Sequence, residues 1–593
     1  MIRSPGRLSK LATMVAAATI VAAACTPAAS TAPTGAATGA APTSPTSGAS
    51  AAPIVPNAYP ETAIDCASKP AGYTGQISQI KAIDALTVEF HLCQADVSFL
   101  SKLAFASSSI QDSAWLQAHA PDKSYVRSTN GTGPYMLKEW VEGDHVTLEA
   151  NPNYWGEAPK AKTVIVKWAK EAASRLQNLQ AGGEGAVDGI DNVGTDDFDT
   201  VSGDTNLKLY PREALNVLYL GLNVDVAPWD NEKVRQAIAI GIDRARIADN
   251  FYPSGSEAAK YFTPCAIPAA CGGTEWPAFN AANAKQMLTD AGFDFSKEYD
   301  FHYRTKVRSY LPSPTEVATD IQSQFKDNLG INIKLIVEKD DTFLTDSSNG
   351  KFPMILLGWG ADYPDVTDFL DIFFGTGADK AFGKHFPDIE QLLGQGATKP
   401  DVPAREGIYG QVNDLLVQHV PMIPLVHGGS ATAWKADVDG AHSSPIGSEY
   451  FAVMKPGDRD QLVWMQNSEP SGLYCADETD GDALRVCEQI YDALYTYEVA
   501  GLKTVPALAT SCDPSTDGMV YTCHLRDGVK FHDGSTFDAN DVVLSFAVQI
   551  DAGHPLHIGN AGSNWYNQYL FGGCLNAAPA TCSPIEPATP APS

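Results

Sequence analysis

The 593-residue sequence predicts an α/β protein. Helical and strand periodicities alternate along the chain, one strand is apolar on both faces, and an Asp-Gly turn near the C-terminus suggests a hairpin. A first helix opens near Asp230 and Asn231, with Val234, Ile238 and Ile242 on one face. Ser313-Pro314-Thr315-Glu316 then has the form of a capping box with proline at the first helical position. Val317, Ile321, Phe325 and Leu329 recur every four residues, and Gly330 stops that helix. Ile331, Ile333, Leu335 and Val337 alternate as a strand does, and 352–357 is a short continuous apolar run, as in a strand buried on both faces. Another helix covers about 403–419 and ends before Pro421. Val520 to Leu525 and Val529 to Phe531 flank Arg526-Asp527-Gly528, which predicts a hairpin.

The bulk numbers narrow the function. Hydrophobic residues make up 44% and charged residues 19%, an ordinary globular composition long enough for two to four domains. A formal charge of -29 offers no basic surface for nucleic acid or for anionic lipid. It suits a soluble exported protein, or one whose ligand is a cation.

At the N-terminus, Arg3, Arg7 and Lys10 precede an apolar stretch from Leu11 to Ala24. That stretch is short for a membrane span and has the form of a signal peptide. Val21-Ala22-Ala23-Ala24 leads into Cys25 and resembles a lipobox, which implies lipidation of Cys25 and membrane attachment through lipid alone. Residues 26–59 are Ala, Thr, Pro, Ser and Gly-rich and are expected to be a disordered tether with a reach of about 30 Å. Residues 583–593 are expected to be a second disordered tail. The other ten of the 11 cysteines fall into short-range couples: Cys66 and Cys93, Cys265 and Cys271, Cys475 and Cys487, Cys512 and Cys523, Cys574 and Cys582. An even set without Cys-x-x-Cys pairs favours disulfides in an oxidising compartment over zinc, although spacing alone leaves the connectivity open.

Four segments together resemble the family 5 solute-binding proteins, the peptide- and nickel-binding group of ABC importers. They are Gly131-Thr132-Gly133-Pro134-Tyr135 with Asn151-Pro152-Asn153-Tyr154-Trp155; Asn223 with Pro228-Trp229-Asp230 and Val234-Arg235-Gln236-Ala237-Ile238; Gly358-Trp359-Gly360-Ala361-Asp362-Tyr363-Pro364-Asp365; and Leu525-Arg526-Asp527-Gly528-Val529-Lys530-Phe531-His532-Asp533-Gly534. The resemblance spans about 60–575. It implies a two-lobed periplasmic-binding-protein-like fold (type II) with an extra α+β domain. In ordinary members the Leu-Arg-Asp-Gly signature precedes Gly-Thr-Gly-Pro-Tyr, whereas here it follows. The segment from Asp460 to Asp480, with Ser468-Glu469-Pro470, looks like a family mature N-terminus. Each landmark occurs once in rotated order, which reads as a circular permutation. Lobe I is then expected from 131–260 and 447–496, lobe II from 261–446, and the extra domain from 60–130 and 497–582.

Asp362 is expected just past the carboxyl end of a buried strand, where open α/β sheets place ligand crevices. Beside Trp359 and Tyr363, its carboxylate would pair with a ligand ammonium. The resemblance implies that Asp362 anchors a peptide's α-amino group in a loop with Gly358 and Gly360, and that Asn223 and Glu469 line the opposite wall. Asp365 and Asp368 are expected to face solvent or cap turns, and Trp140, Trp168 and Trp434 to fill cores. His554-Pro555-Leu556-His557 is not read as a metal site. No Gly-x-Ser-x-Gly, His-Glu-x-x-His or P-loop pattern occurs, so neither enzyme chemistry nor a cofactor is expected. The expected protein is a monomeric, extracytoplasmic lipoprotein that passes peptides or peptide-like amines to ABC permease subunits. The rival readings are a nickel complex, haem or oligosaccharide as solute, or a secreted hydrolase or adhesin.

Overall fold

The computed structural model describes residues 57–557 and 570–576, apart from 71, 72, 74, 184, 185, 401 and 479. Cys25, most of the expected tether, Cys582 and the expected tail lie outside the described residues. Among the described residues no helix is long and apolar enough to cross a membrane.

A six-stranded mixed sheet has the order Glu257–Ala258, Met422–His427, Asn216–Leu222, Met354–Gly360, Glu298–Tyr303, Asn332–Val337. Every residue of Asn216–Leu222 is buried, as a central strand requires. It runs antiparallel to Met354–Gly360, pairing Leu222 with Met354 and Asn216 with Gly360. Helix Pro314–Gln324 starts at its proline, but Ser313 makes no side-chain cap bond, so the expected capping box is not formed. The last turn widens into a π-helix over Phe325–Leu329, and Gly330 ends it at φ 77°.

A seven-stranded sheet has the order Tyr135–Val141, His145–Ala150, Thr163–Trp168, Gln461–Gln466, Gly189–Ile190, Ser430–Lys435, Leu207–Arg212. Trp434 and Trp464 stack in its core with centroids 4.7 Å apart. The chain leaves this sheet after Arg212 and returns to it at Ser430, so everything from 216 to 427 belongs to the six-stranded body. This corrects the expected lobe limits of 260/261 and 446/447. The crossings are 213–215 and 428–429; the first, Glu213-Ala214-Leu215, has no linker composition, whereas the second is Gly428-Gly429 ahead of Ser430. The two crossings are bound to each other: Asn216 Nδ2 donates to Gly428 O at 2.6 Å, and Gly428 N donates to Asn216 Oδ1 at 2.9 Å.

A five-stranded antiparallel sheet has the order Ala58–Tyr59, Ile77–Asp84, Thr87–Leu92, Val520–Leu525, Ala509–Pro514. It is built from both flanks of the sequence, with Phe90 opposite Tyr521. Helix Ala539–Ile550, held by a capping box between Asp538 and Asp541, packs Phe546 edge-on against Phe90 with centroids 5.1 Å apart. The expected hairpin across Arg526-Asp527-Gly528 is not formed. Val520–Leu525 pairs with Ala509–Pro514 and Thr87–Leu92, while Val529 and Phe531 are drawn into the core beyond the turn.

Two of the four segments, 131–155 and 525–534, meet at the joint between this sheet and the seven-stranded body. The Arg526 guanidinium lies 4.4 Å from the Trp155 ring centroid. Trp155 Nε1 and Thr132 Oγ1 both donate to Asp492 Oδ2, at 2.8 and 2.9 Å. His532 receives the Gly131 amide at 3.3 Å and reaches the Gly133 carbonyl at 3.2 Å. Disulfides join Cys66 to Cys93, Cys265 to Cys271, Cys475 to Cys487 and Cys512 to Cys523. Cys574 is disulfide-bonded too, and its expected partner Cys582 lies outside the described residues.

Candidate ligand-binding site

The Met354–Gly360 strand delivers Gly358 and Trp359, and the chain then turns through Ala361 to Asp362 two residues past the strand end. Gly358 is required by close packing. A Cβ there would sit 2.3 Å from the Tyr310 ring and 2.6 Å from the Val217 carbonyl. At Gly360 a Cβ would meet nothing within 4 Å. Trp359 packs edge-on to Phe373 with centroids 5.4 Å apart, half-buried.

The loop after the strand is held by its own acids. Asp368, fully buried in helix Thr367–Phe374, accepts the Asp362 amide at 2.8 Å and the Tyr363 amide at 3.4 Å. Asp365 accepts the Thr367 amide at 3.0 Å and forms a two-pronged ion pair with Arg405 at 2.6 and 2.8 Å. Neither therefore faces solvent. Both tie down the loop ahead of the helix, and Asp368 also adds a titratable acid beside Asp362. Burial, reinforced by the neighbouring Asp362 carboxylate, pushes the Asp368 carboxyl well above the usual range. One turn further along the same helix, Asp371 is pushed up to about 8. Burial is the main cause, and the Asp365 and Asp96 carboxylates add to it against the opposing pull of Lys102. Tyr363 is buried against the five-stranded body with Lys102 5.6 Å from its ring centroid. Lys102 itself pairs with buried Asp96 at 2.7 Å.

Two groups that sequence reading missed complete the acidic wall. Tyr497, on the short strand Tyr495–Tyr497, donates to Ser101 O at 2.8 Å. Its phenol is pushed well above its ordinary value by burial and then by the charges of Asp368, Glu488 and Asp362. Glu488, on helix Gly481–Ile490, is raised to about 7 by burial. The six-stranded body and the helix Gly481–Ile490 thus both supply acids whose charge acts on Tyr497. No motif ties these residues together, because Glu488 and Tyr497 follow Asp362 only far along the chain.

The two residues expected on the opposite wall are elsewhere. Asn223 N donates to Pro353 O at 3.0 Å, at the start of the Met354–Gly360 strand, so it lies about 20 Å from the Asp362 end at the usual rise per residue. Its side chain bonds Gly350 O and the Asp225 amide. Glu469 accepts the Trp140 indole N–H at 2.8 Å and the Gly143 amide at 3.2 Å, which fastens the turn between Tyr135–Val141 and His145–Ala150. Both side chains are committed to backbone and hairpin geometry. Among the described residues no group of three or more His, Cys, Asp or Glu is arranged to hold a metal ion.

Two α/β bodies joined by paired crossings, with a third sheet packed against them, define a periplasmic-binding-protein-like architecture. The profile of the bacterial extracellular solute-binding proteins, family 5 Middle, matches residues 41–381 and 503–563, and the chain belongs to this family. It is similar to the probable ABC transporter periplasmic-binding protein SapA of Escherichia coli (strain K12), at 25% identity over 66% of this chain and 72% of that protein. It is also 24% identical to the dipeptide-binding protein of the same strain, over 63% of this chain and 71% of that one. Among solved structures, the dipeptide binding protein from Pseudoalteromonas sp. SM9913 in complex with Met-Leu superposes with a TM-score of 0.59 at 23% identity, over 64% of this chain and 76% of that chain. The family is one of extracytoplasmic solute-binding proteins of ABC transporters, not of enzymes.

Proposed function

We propose that the protein captures peptides or peptide-like amines between its two bodies and delivers them to the permease subunits of an ABC importer. The observation that carries this reading is Asp362, two residues past the strand's carboxyl end, beside the buried Asp368 carboxylate that accepts its amide. An acid-rich, partly buried wall favours a ligand ammonium, which gains a charge-assisted hydrogen bond and relieves repulsion among the carboxylates. Relatives named for dipeptides support the same ligand class. Hinge motion at the paired crossings 213–215 and 428–429 would close the bodies on the ligand.

In this reading the chain is a circular permutation of the family's order. In support, the five-stranded sheet joins both flanks of the sequence, and the family match falls in two blocks. Attachment to the membrane would be through lipid on Cys25. Titration calorimetry tests the ligand site once mass spectrometry has identified the co-purifying solute. Asp362→Ala is expected to weaken amine-bearing ligands by well over tenfold with an unchanged thermal midpoint. Equal affinity would remove Asp362 from the site.

A further inference from the structure

A chain of buried charges runs through the molecule from one crossing to the other. Arg212, the last residue before the first crossing, pairs with Asp191 at 3.0 Å and Glu449 at 2.6 Å. Arg485 holds the same two acids at 2.9 and 2.8 Å and adds Asp482 at 3.1 Å. The Asp482 amide donates to Asp480 Oδ1 at 3.0 Å, at the start of helix Gly481–Ile490. From there the chain of charges leaves the seven-stranded body. Asp480 Oδ2 receives Lys306 Nζ at 2.8 Å and Arg308 Nη2 at 3.0 Å, both from the six-stranded body. The loop that carries them lies on the second crossing. A Cβ at Gly428 would stand 2.9 Å from the Ser309 carbonyl and from the Tyr252 ring, and Tyr252 in turn donates to Tyr310 O at 2.7 Å.

We propose that Asp480 is a positioning residue whose charge sets the resting angle between the two bodies in the ligand-free protein. Resting on the two-body closure reading above, this gives the affinity for any ligand a component that no ligand contact supplies. A partly buried carboxylate with two cations from the opposing body favours one hinge angle; without the charge Arg308 loses its acid and Lys306 keeps only Asp340 of its own body, at 3.6 Å. A ligand that needs that angle then binds in proportion to its population.

The test uses the full chain without ligand, so its outcome is independent of whether Asp362 anchors an amine. Spin labels at Lys208→Cys and Lys326→Cys, both exposed, one in each body, report the distance between the bodies. Asp480→Asn keeps a good helix cap and removes the charge, whereas Asp480→Glu keeps the charge on a poorer cap. Asp480→Asn is expected to shift the distance distribution away from wild type, and Asp480→Glu to retain it. Lys306→Met with Arg308→Met should reproduce the shift from the opposing side, and adding Asp480→Asn should extend it no further. A wild-type distribution in Asp480→Asn overturns the proposal. So does a shift in Asp480→Glu equal to that in Asp480→Asn, or additivity of the two sets.

Discussion

Arg485 is the residue on which the seven-stranded body most depends. Its guanidinium serves Asp191, Glu449 and Asp482 and lies 5.5 Å from the Trp464 ring centroid, all within the protein interior. Removing it leaves buried Asp482 without its cation and Asp191 and Glu449 with Arg212 alone, in a medium that cannot solvate them. Arg485→Met is therefore expected to lower stability by about 3–5 kcal/mol, read as a shifted urea midpoint. The position of Asp362 could be read from sequence because a strand's end and a loop motif are local features. The same reading misplaced Asn223, whose motif is equally local but sits at the other end of the antiparallel pair. Strand direction relative to a partner is a property of the sheet, and no residue in either strand states it.

At the scale of elements, the close approach of Tyr310 to Gly358 couples the ligand loop to the loop at the second crossing. Gly358→Ala would force the ring or the strand to move, at a cost of about 1–3 kcal/mol. The expected result is weakened ligand binding together with a lowered thermal midpoint, measured by calorimetry on one sample. Periodicity found the helix at 314–324 and its glycine stop, since both depend on neighbours in the chain. It did not find the π-helical turn or the absence of a Ser313 cap, because tertiary packing decides how a helix end is finished. The Arg526-Asp527-Gly528 turn was legible for the same local reason. Neither of its strand partners, Ala509–Pro514 or the distant Thr87–Leu92, was read from the sequence.

For the whole molecule, the acids divide into two sets. Burial raises Asp371 to about 8, Glu478, Glu488 and Asp541 to about 7, and Asp492 to about 6. In the unfolded chain these groups release their protons near pH 4, so the folded state holds more protons between about 4 and 8 and loses stability as pH rises through that window. The paired acid Asp191, despite its burial, is lowered to about 2 by Arg485 and Arg212, so its contribution is present above about 4 and is lost towards pH 2. The thermal midpoint is therefore expected to be highest near pH 5, and several degrees lower at pH 8. A midpoint that rises from pH 5 to 8 would contradict these shifts.

The permuted reading makes a separate prediction. A rearranged gene that starts at Asp460, runs through Cys582, and continues through a short linker into 57–459 should fold with the same disulfides and ligand affinity. The Tyr59 side chain bonds Asp551, and the Gln76 amide bonds the Phe571 carbonyl at 2.7 Å, so the joined ends lie within one sheet's neighbourhood. Loss of cooperative melting in the rearranged chain would count against the permutation.

The six-stranded body is one uninterrupted run of sequence, entered and left through crossings that touch. One side of the proposed ligand site, Asp362 and its loop, is thus carried on a single cassette of sequence. Recombination at only two junctions could exchange that side between relatives, so new ligand preferences need not arise one substitution at a time.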